Sequence, residues 1–198
     1  SGKTATYTAL INKAADAEYR IIILLTGTIE KLRQQTQRRL DEGFIGLDST
    51  AFTHGRNQVF VGAGNYNQSI SGWAVTSTSS DFKKSTAERL IGQLSGISSP
   101  VVFVLKKNKS VLESLGQWLK LYNATRGQKI PLPMLLIDDD ADNASINTKS
   151  EEDPTVINAG IRTILELFSK ANYVGFTATP YANIFINPDS NQEMLKDD

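Results

Sequence analysis

The chain has 198 residues, 40% hydrophobic and 21% charged, and its 21 basic and 21 acidic side chains cancel. That length accommodates one substantial domain, and the charge balance supplies no global field for nucleic acid or an anionic membrane, so any such surface must be local. No cysteine is present, which excludes disulfides and cysteine-ligated metals and suits a cytoplasmic setting; His54 alone cannot build a metal cluster, and no apolar run is long enough to span a bilayer.

The sequence opens on Ser1-Gly2-Lys3-Thr4, the end of the phosphate-loop pattern G-x-x-x-x-G-K-[ST]. In such a loop, backbone N–H groups and the start of the next helix cradle phosphate oxygens, the lysine reaches the β- and γ-phosphates, and the hydroxyl ligates magnesium. Ser1, Gly2, Lys3 and Thr4 are therefore the candidate nucleotide-binding residues, with Thr4 also a candidate magnesium ligand. Helix formers predict a helix over 3–17. The β-branched run Ile21 to Leu25 predicts a parallel strand buried on both faces. Thr26-Gly27-Thr28 then turns into a helix over 29–42, whose polar face carries Lys31, Arg33, Arg38 and Arg39.

Residues 43–99 differ in texture, being rich in Gly, Ser, Thr and Asn. They read as an elaboration inserted between core units, with strand-like pieces at 58–61 and 73–76 and a weak helix near 85–94. Val101 to Leu105 predicts a second buried strand, followed by Lys106-Lys107-Asn108-Lys109 and a helix over 110–124. A turn-rich link at 125–132 leads to a strand at 133–138 that ends in acids, Asp138-Asp139-Asp140-Ala141-Asp142. After a polar loop, Pro154 suits the first turn of a helix over 155–170, where Ile157, Ile161, Ile164, Leu165 and Phe168 share an apolar face. Tyr173 to Phe176 is the next strand, leading into Thr177-Ala178-Thr179-Pro180, and residues 187–198 form an acidic tail or linker.

Strands alternating with helices predict an α/β fold, a parallel sheet with helices on both faces. The strand that should precede Ser1 in such a sheet is expected outside the chain, which reads as part of a longer protein. Acids at the end of a buried strand are how such folds bring a carboxylate to a metal-bound triphosphate. One carboxylate would hold hydrated magnesium and its neighbour would orient or deprotonate the attacking water. In the kind of lobe that these motifs resemble, nucleic acid is expected to run across an exposed face near the strand ends, where Thr26, Gly27 and Thr28 would offer backbone N–H groups to a phosphate. Lys106, Lys107 and Lys109 follow the next strand in the corresponding place. Tyr66, Trp73 and Tyr122 are candidate stacking rings.

The order of Gly-Lys-Thr, a Thr-Gly-Thr turn with a basic helix, an acidic box and Thr-Ala-Thr-Pro resembles the first RecA-like lobe of a superfamily-two helicase or DNA translocase. More narrowly, Ile137 to Thr148, Gly175 to Phe185 and Val104 to Lys109 are similar to the Z-one domain family, endonuclease-type proteins of restriction and phage-defence loci. The likeness touches most of residues 1–186, strongest over 133–186 and weakest over 43–99. It implies ATP and magnesium as cofactors, with Asp139 the magnesium-side acid and Asp140 the water-orienting one; Asp138 is the alternative register for the first. It also implies Thr177 and Thr179 in the catalytic set, DNA as partner, and a second RecA-like lobe and a nuclease domain outside the chain.

One position departs from the family pattern. The box reads Asp139-Asp140-Ala141-Asp142 where the family has Asp-Glu-Ala-Asp. Losing a methylene withdraws the carboxylate by about 1.5 Å, and misplacement of about 1 Å can cost about 100-fold in rate. An ATP-hydrolysing motor lobe and a non-catalytic nucleotide-sensing or assembly module are thus the two leading readings; against a third, a metabolic kinase with the same phosphate loop, stand Thr177-Ala178-Thr179-Pro180 and the lack of an acceptor-binding pattern. No convergent nuclease constellation is present in the sequence apart from the nucleotide motifs.

Overall fold

A computed structural model describes residues 2–68, 72–91, 97–123, 127–139, 141 and 154–177. Helices α1 (Gly2–Asp16), α2 (Glu30–Leu40), α3 (Ser49–Thr53), α4 (Lys84–Ile91), α5 (Lys109–Asn123) and α6 (Pro154–Glu166) intervene among strands β1 (Ile21–Thr26), β2 (Trp73–Ala74), β3 (Val101–Lys106), β4 (Met134–Asp138) and β5 (Ala171–Gly175). The strands form one parallel sheet in the order β2-β3-β1-β4-β5. This is the α/β architecture that the alternation of elements predicts.

The three middle strands are apolar up to their last residues, Thr26, Lys106 and Asp138, because both faces of the sheet are covered. Side chains alternate between faces along each strand, and here each set meets its own helices. Ile21, Ile23 and Leu25, with Phe103, Leu105 and Leu136, pack on Leu112, Leu115, Trp118 and Leu119 of α5 and on Ile157, Ile161 and Ile164 of α6. Ile22, Leu24, Val102, Val104, Leu135 and Ile137 pack instead against Tyr7, Ile11 and Ala14 of α1 and against Leu40, Phe44 and Ile45. Complete burial of such a side chain contributes about 1.5–3 kcal/mol. Asn108 caps α5, its Oδ1 accepting from the backbone N of Ser110 at 2.9 Å.

Several boundaries differ from the sequence expectation for identifiable reasons. The helix expected over 29–42 ends at Leu40 and continues as a π-helical turn, Asp41–Ile45, closed by Gly46 at φ 74°. Residues 58–61 do not form a strand; the contact there is a single antiparallel bridge between Leu47 and Phe60. The 43–99 stretch instead contributes β2 to the sheet edge and buries Ala74, Val75, Phe82 and Ala87. It is fastened by backbone proximity. A Cβ on Gly62 would lie 2.2 Å from the Glu42 carbonyl oxygen, and one on Gly64 would lie 1.9 Å from that of Gly46. The strand expected from Tyr173 begins at Ala171, in register with Met134, and is partly exposed along its length.

Arg33 corrects the reading of α2. The sequence placed it on a solvated face with Lys31, Arg38 and Arg39; its side chain is fully buried, while Lys31 and Arg38 are exposed and Arg39 is half-buried. Its Nη2 donates to Glu30 Oε1 at 2.7 Å and to the Ser77 carbonyl at 2.9 Å. Burial of an arginine requires such answering acceptors, and beside Glu30 of its own helix one comes from Ser77, after β2, in the stretch expected to be an elaboration inserted between core units. Among the described residues, no helix is long and apolar enough to cross a membrane.

Candidate nucleotide and nucleic-acid site

Parallel α/β sheets gather their chemistry beyond the carboxyl ends of the strands. Leu25, Leu105, Asp138 and Gly175 occupy one row across β3, β1, β4 and β5. The residues that follow each of them carry the candidate motifs. Leu105 and Leu25 lead into Lys106 to Lys109 and Thr26 to Thr28; Asp138 and Gly175 lead into the acidic turn and Thr177.

The acidic turn is held by backbone bonds to both neighbouring strands. Asp139 N donates to the Leu25 carbonyl at 2.9 Å, Phe176 N to the Asp138 carbonyl at 2.7 Å, and Ala141 N to the Phe176 carbonyl at 3.1 Å. Gly175 is needed where it stands, since a Cβ there would come within 2.9 Å of the Ala141 Cβ. The helix of the phosphate-loop motif joins the same assembly. The ring of Tyr7 meets that of Phe176 edge-on, with centroids 6.1 Å apart, and the Tyr7 hydroxyl donates to Thr4 Oγ1 at 3.3 Å. Three motifs that lie far apart in sequence therefore abut through Tyr7, Phe176 and Ala141.

Gly2, Lys3 and Thr4 form the first turn of α1, with Gly2 exposed and Lys3 and Thr4 half-buried. Thr4 Oγ1 also accepts from Arg39 Nη1 at 2.7 Å. The oxygen donors of Thr4 and Asp139 are of the hard type that magnesium takes. They fit that ion by chemistry, provided the Arg39 contact gives way at the hydroxyl. Ser1, Asp140, Asp142 and Thr179 lie outside the described residues; Thr177 is half-buried beside Phe176.

Asp138, the alternative first acid, is the last residue of β4 and is buried. Lys107 Nζ lies 2.8 Å from its Oδ1, and the Tyr173 hydroxyl donates to its Oδ2 at 3.2 Å. Asp139 follows it at the turn, half-buried.

The candidate nucleic-acid residues fall into two groups. Thr26 is buried and its hydroxyl donates to the Leu105 carbonyl at 3.0 Å, whereas Gly27 is half-buried and Thr28 is exposed. Lys109 is half exposed, its nearest acid Glu113 one helical turn on at 3.9 Å. Lys106 and Lys107 turn inward, Lys106 Nζ lying 3.2 Å from Glu30 Oε2. The surface beside Thr28 is apolar, with Ile29 58% and Leu32 48% exposed. Of the candidate stacking rings, Tyr66 is almost fully exposed and Trp73 partly so; the Tyr122 side chain lies outside the description.

A polar cluster ties α2 to β3 and to residues 76–81. Glu30 accepts from Arg33 and pairs with Lys106; Lys106 N donates to Asp81 Oδ2 at 3.1 Å, and Arg33 Nε stands 3.9 Å from that oxygen. Burial pushes the Glu30 carboxyl up, but hydrogen bonds and charge from Arg33 and Lys106 outweigh it and leave it below its ordinary value. Burial raises Asp81 above its ordinary value, and the bonds from Phe82 N and Lys106 N recover only part of that. One turn further along α2, Gln37 Nε2 donates to Asp41 Oδ1 and Gln37 Oε1 accepts from Thr76 Oγ1, which in turn accepts from Val104 N. Burial pushes the Asp41 carboxyl up to about 6 despite bonds from Gln37 and Ser49.

A family profile, that of the type III restriction enzyme res subunit, matches residues 1–182. The chain belongs to this family. No curated protein and no solved structure matches it. The res-subunit family consists of helicase-like ATPase domains, in keeping with the five-stranded parallel sheet and the RecA-like lobe expected from the motifs. Nucleotide and magnesium binding, and DNA as partner, are general expectations for it. The narrower Z-one likeness rests on the motif residues alone.

Sequence reasoning missed three groups at the site. Asp138 was weighed only as a substitute for Asp139, Arg39 was read as surface, and Tyr173 as a strand residue without a role. The signal for Tyr173 was its place on a strand beside the acidic one; no sequence pattern signalled Arg39.

Proposed function

We propose that the chain is the ATP-binding and ATP-hydrolysing lobe of a helicase-like DNA translocase, acting in a restriction or phage-defence endonuclease. The observation that carries this reading is the convergence of the first turn of α1, the acidic turn and the segment leading to Thr177, through Tyr7, Phe176 and Ala141. In this reading Ser1, Gly2 and Lys3 hold the triphosphate, and Thr4 and Asp139 hold magnesium, which neutralises charge developing on the phosphates. Asp140 orients the attacking water, and Thr177 and Thr179 complete the catalytic set. Gly27, Thr28 and Lys109 face the DNA, with Thr26 and Lys106 behind them. A second RecA-like lobe and a nuclease domain belong to the remainder of the protein, and a cytoplasmic setting goes with work on DNA. The Z-one likeness of the acidic and Thr-Ala-Thr-Pro segments supports the defence context.

Nucleotide titration of the full-length protein and its Lys3→Ala variant tests the binding step. Losing a charge-assisted phosphate contact costs about 1.5–3 kcal/mol, or roughly 10- to 150-fold in affinity; equal affinities would defeat the assignment. The aspartate at position 140 favours one alternative, a nucleotide-sensing module with weakened hydrolysis. Asp140→Glu is expected to leave ATP affinity within a few-fold and to change turnover, because a water-orienting group acts mainly in the transition state. ATP turnover by both forms, with and without DNA, separates a motor from a sensor.

A further inference from the structure

Lys107 stands in the loop where lysines would meet a nucleic-acid phosphate, yet its ammonium points elsewhere. Its backbone N donates to the Thr26 carbonyl at 3.0 Å, which ties the 106–109 loop to the turn that opens α2. From there the side chain crosses the end of β1, the strand between β3 and β4. It ends 2.8 Å from Asp138 Oδ1, with side chains 11% and 3% exposed. Leu105, Leu25 and Asp138 share one row, so the contact joins the ends of two strands that lie two strand spacings apart, about 10 Å. The other oxygen of the same carboxylate accepts from Tyr173 on β5. Asp138 is thereby gripped from both flanks of β4. The next residue is the magnesium-side acid.

We propose that Lys107 is a positioning residue: by gripping Asp138 it sets the aim of Asp139, and so connects the nucleic-acid loop to the nucleotide site. This rests on the assignment of Asp139 as the magnesium-side acid. A short charge-assisted contact fixes direction as well as proximity, and little water reaches this one. Rotation of the Asp138 side chain is opposed by Lys107 on one side and Tyr173 on the other. The adjacent peptide is pinned by Asp139 N on Leu25 and Phe176 N on Asp138. A shift of the 106–109 loop on its track is thus carried to Asp138 through one side chain. Lys106, by contrast, spends its charge on Glu30, and Lys109 reaches outward beside Glu113. The three lysines of one short run have three different duties.

The test uses the full-length protein, with Lys107→Met and Tyr173→Phe. Tyr173 is 46% exposed, so removing its hydroxyl spares the fold. The first readout is the ratio of ADP affinities with and without magnesium. Lys107→Met is expected to leave magnesium-free affinity within about twofold and to shrink the magnesium-dependent gain several-fold. In turnover it should lower kcat about 10- to 100-fold with KM for ATP within a few-fold, as for a misplaced catalytic group. Tyr173→Phe should move both readouts the same way by a smaller factor.

The second readout is binding to unrelated oligonucleotides across a salt series. Loss of a phosphate contact flattens the log–log slope by about 0.7–0.9. Lys107→Met is expected to leave the slope unchanged; a flattened slope with an intact magnesium ratio would make Lys107 a track residue and overturn the proposal. A lowered melting temperature with unchanged magnesium ratio and kcat would overturn it in favour of a structural pair. Should Lys107→Met fail to fold, Tyr173→Phe decides, and an unaltered magnesium ratio in that variant counts against the proposal. The underlying assignment fails separately, if Asp139→Ala retains the full magnesium-dependent gain.

Discussion

The two sides of the sheet are packed by different chemistry. Against α5 and α6 the sheet meets a continuous apolar surface built on Leu112, Leu115, Trp118, Ile161 and Ile164. Against α2 it meets Arg33, Thr36 and Gln37 as well as Leu40, all buried, with Glu30, Asp41, Thr76 and Asp81 answering them. The first arrangement tolerates changes of shape and forbids polarity. The second depends on each partner being present, because a buried polar group left unanswered costs more than its bond contributed. The comparison teaches where rigidity comes from. Apolar packing fixes volume, whereas the α2 cluster fixes the direction of each side chain, on the helix that follows the candidate nucleic-acid turn.

Substituting methionine on each side would expose the contrast most strongly. Arg33→Met keeps a flexible stem but abandons Glu30, Asp81 and the Ser77 carbonyl, and leaving a buried acceptor unanswered costs about 1–3 kcal/mol, more for a charged one. Leu115→Met on the other side is a volume-conserving swap expected to cost under about 1.5 kcal/mol. Urea denaturation of the two variants measures both. Equal losses would erase the distinction between the faces.

A smaller effect should appear with pH. Burial holds the Asp41 carboxyl near 6 in the folded chain, against 3.8 ordinarily. Its folded value is raised, so its contribution to stability is fully present below about pH 4 and is lost as pH rises through 6. The unfolded chain sheds this proton first, and the loss amounts to about 3 kcal/mol at most. Asp41→Asn should remove that decline, so the difference between wild type and variant should change with pH over this window. A pH-independent difference would show that the cluster around Asp41 carries no such strain. The amide has a single acceptor oxygen, so it keeps either the bond from Gln37 or those from Ser49; the variant should be less stable than wild type at low pH but insensitive to pH over this window.

The same contrast explains what the sequence could tell. The strands β1, β3 and β4 were legible because burial on both faces leaves unbroken apolar runs such as Ile21 to Leu25, and α6 because its isoleucines recur at helical spacing. Arg33 and Gln37 were illegible, since a polar residue on a helix reads as solvated unless its partners are known. Those partners, Ser77, Asp81 and Thr76, lie roughly 40 residues further along the chain. The edge strand β2 falls within the strand-like piece expected at 73–76, but only Trp73 and Ala74 pair, with Val101 and Val102. At the site, the motif residues marked which loops matter. Their side-chain directions were not marked: the sequence treats Lys106, Lys107 and Lys109 alike, and only the fold sends the first two to Glu30 and Asp138.

Gly175 carries a further consequence. With a hydrogen in place of a side chain, it lets the end of β5 ride directly against Ala141, and the two segments are hydrogen-bonded on either side of that contact. Such a joint has no backlash: the piece that bears Thr177 and the piece that bears Asp139 have no slack to take up before one pushes the other. The closeness of that joint is set by the width of a single missing carbon atom.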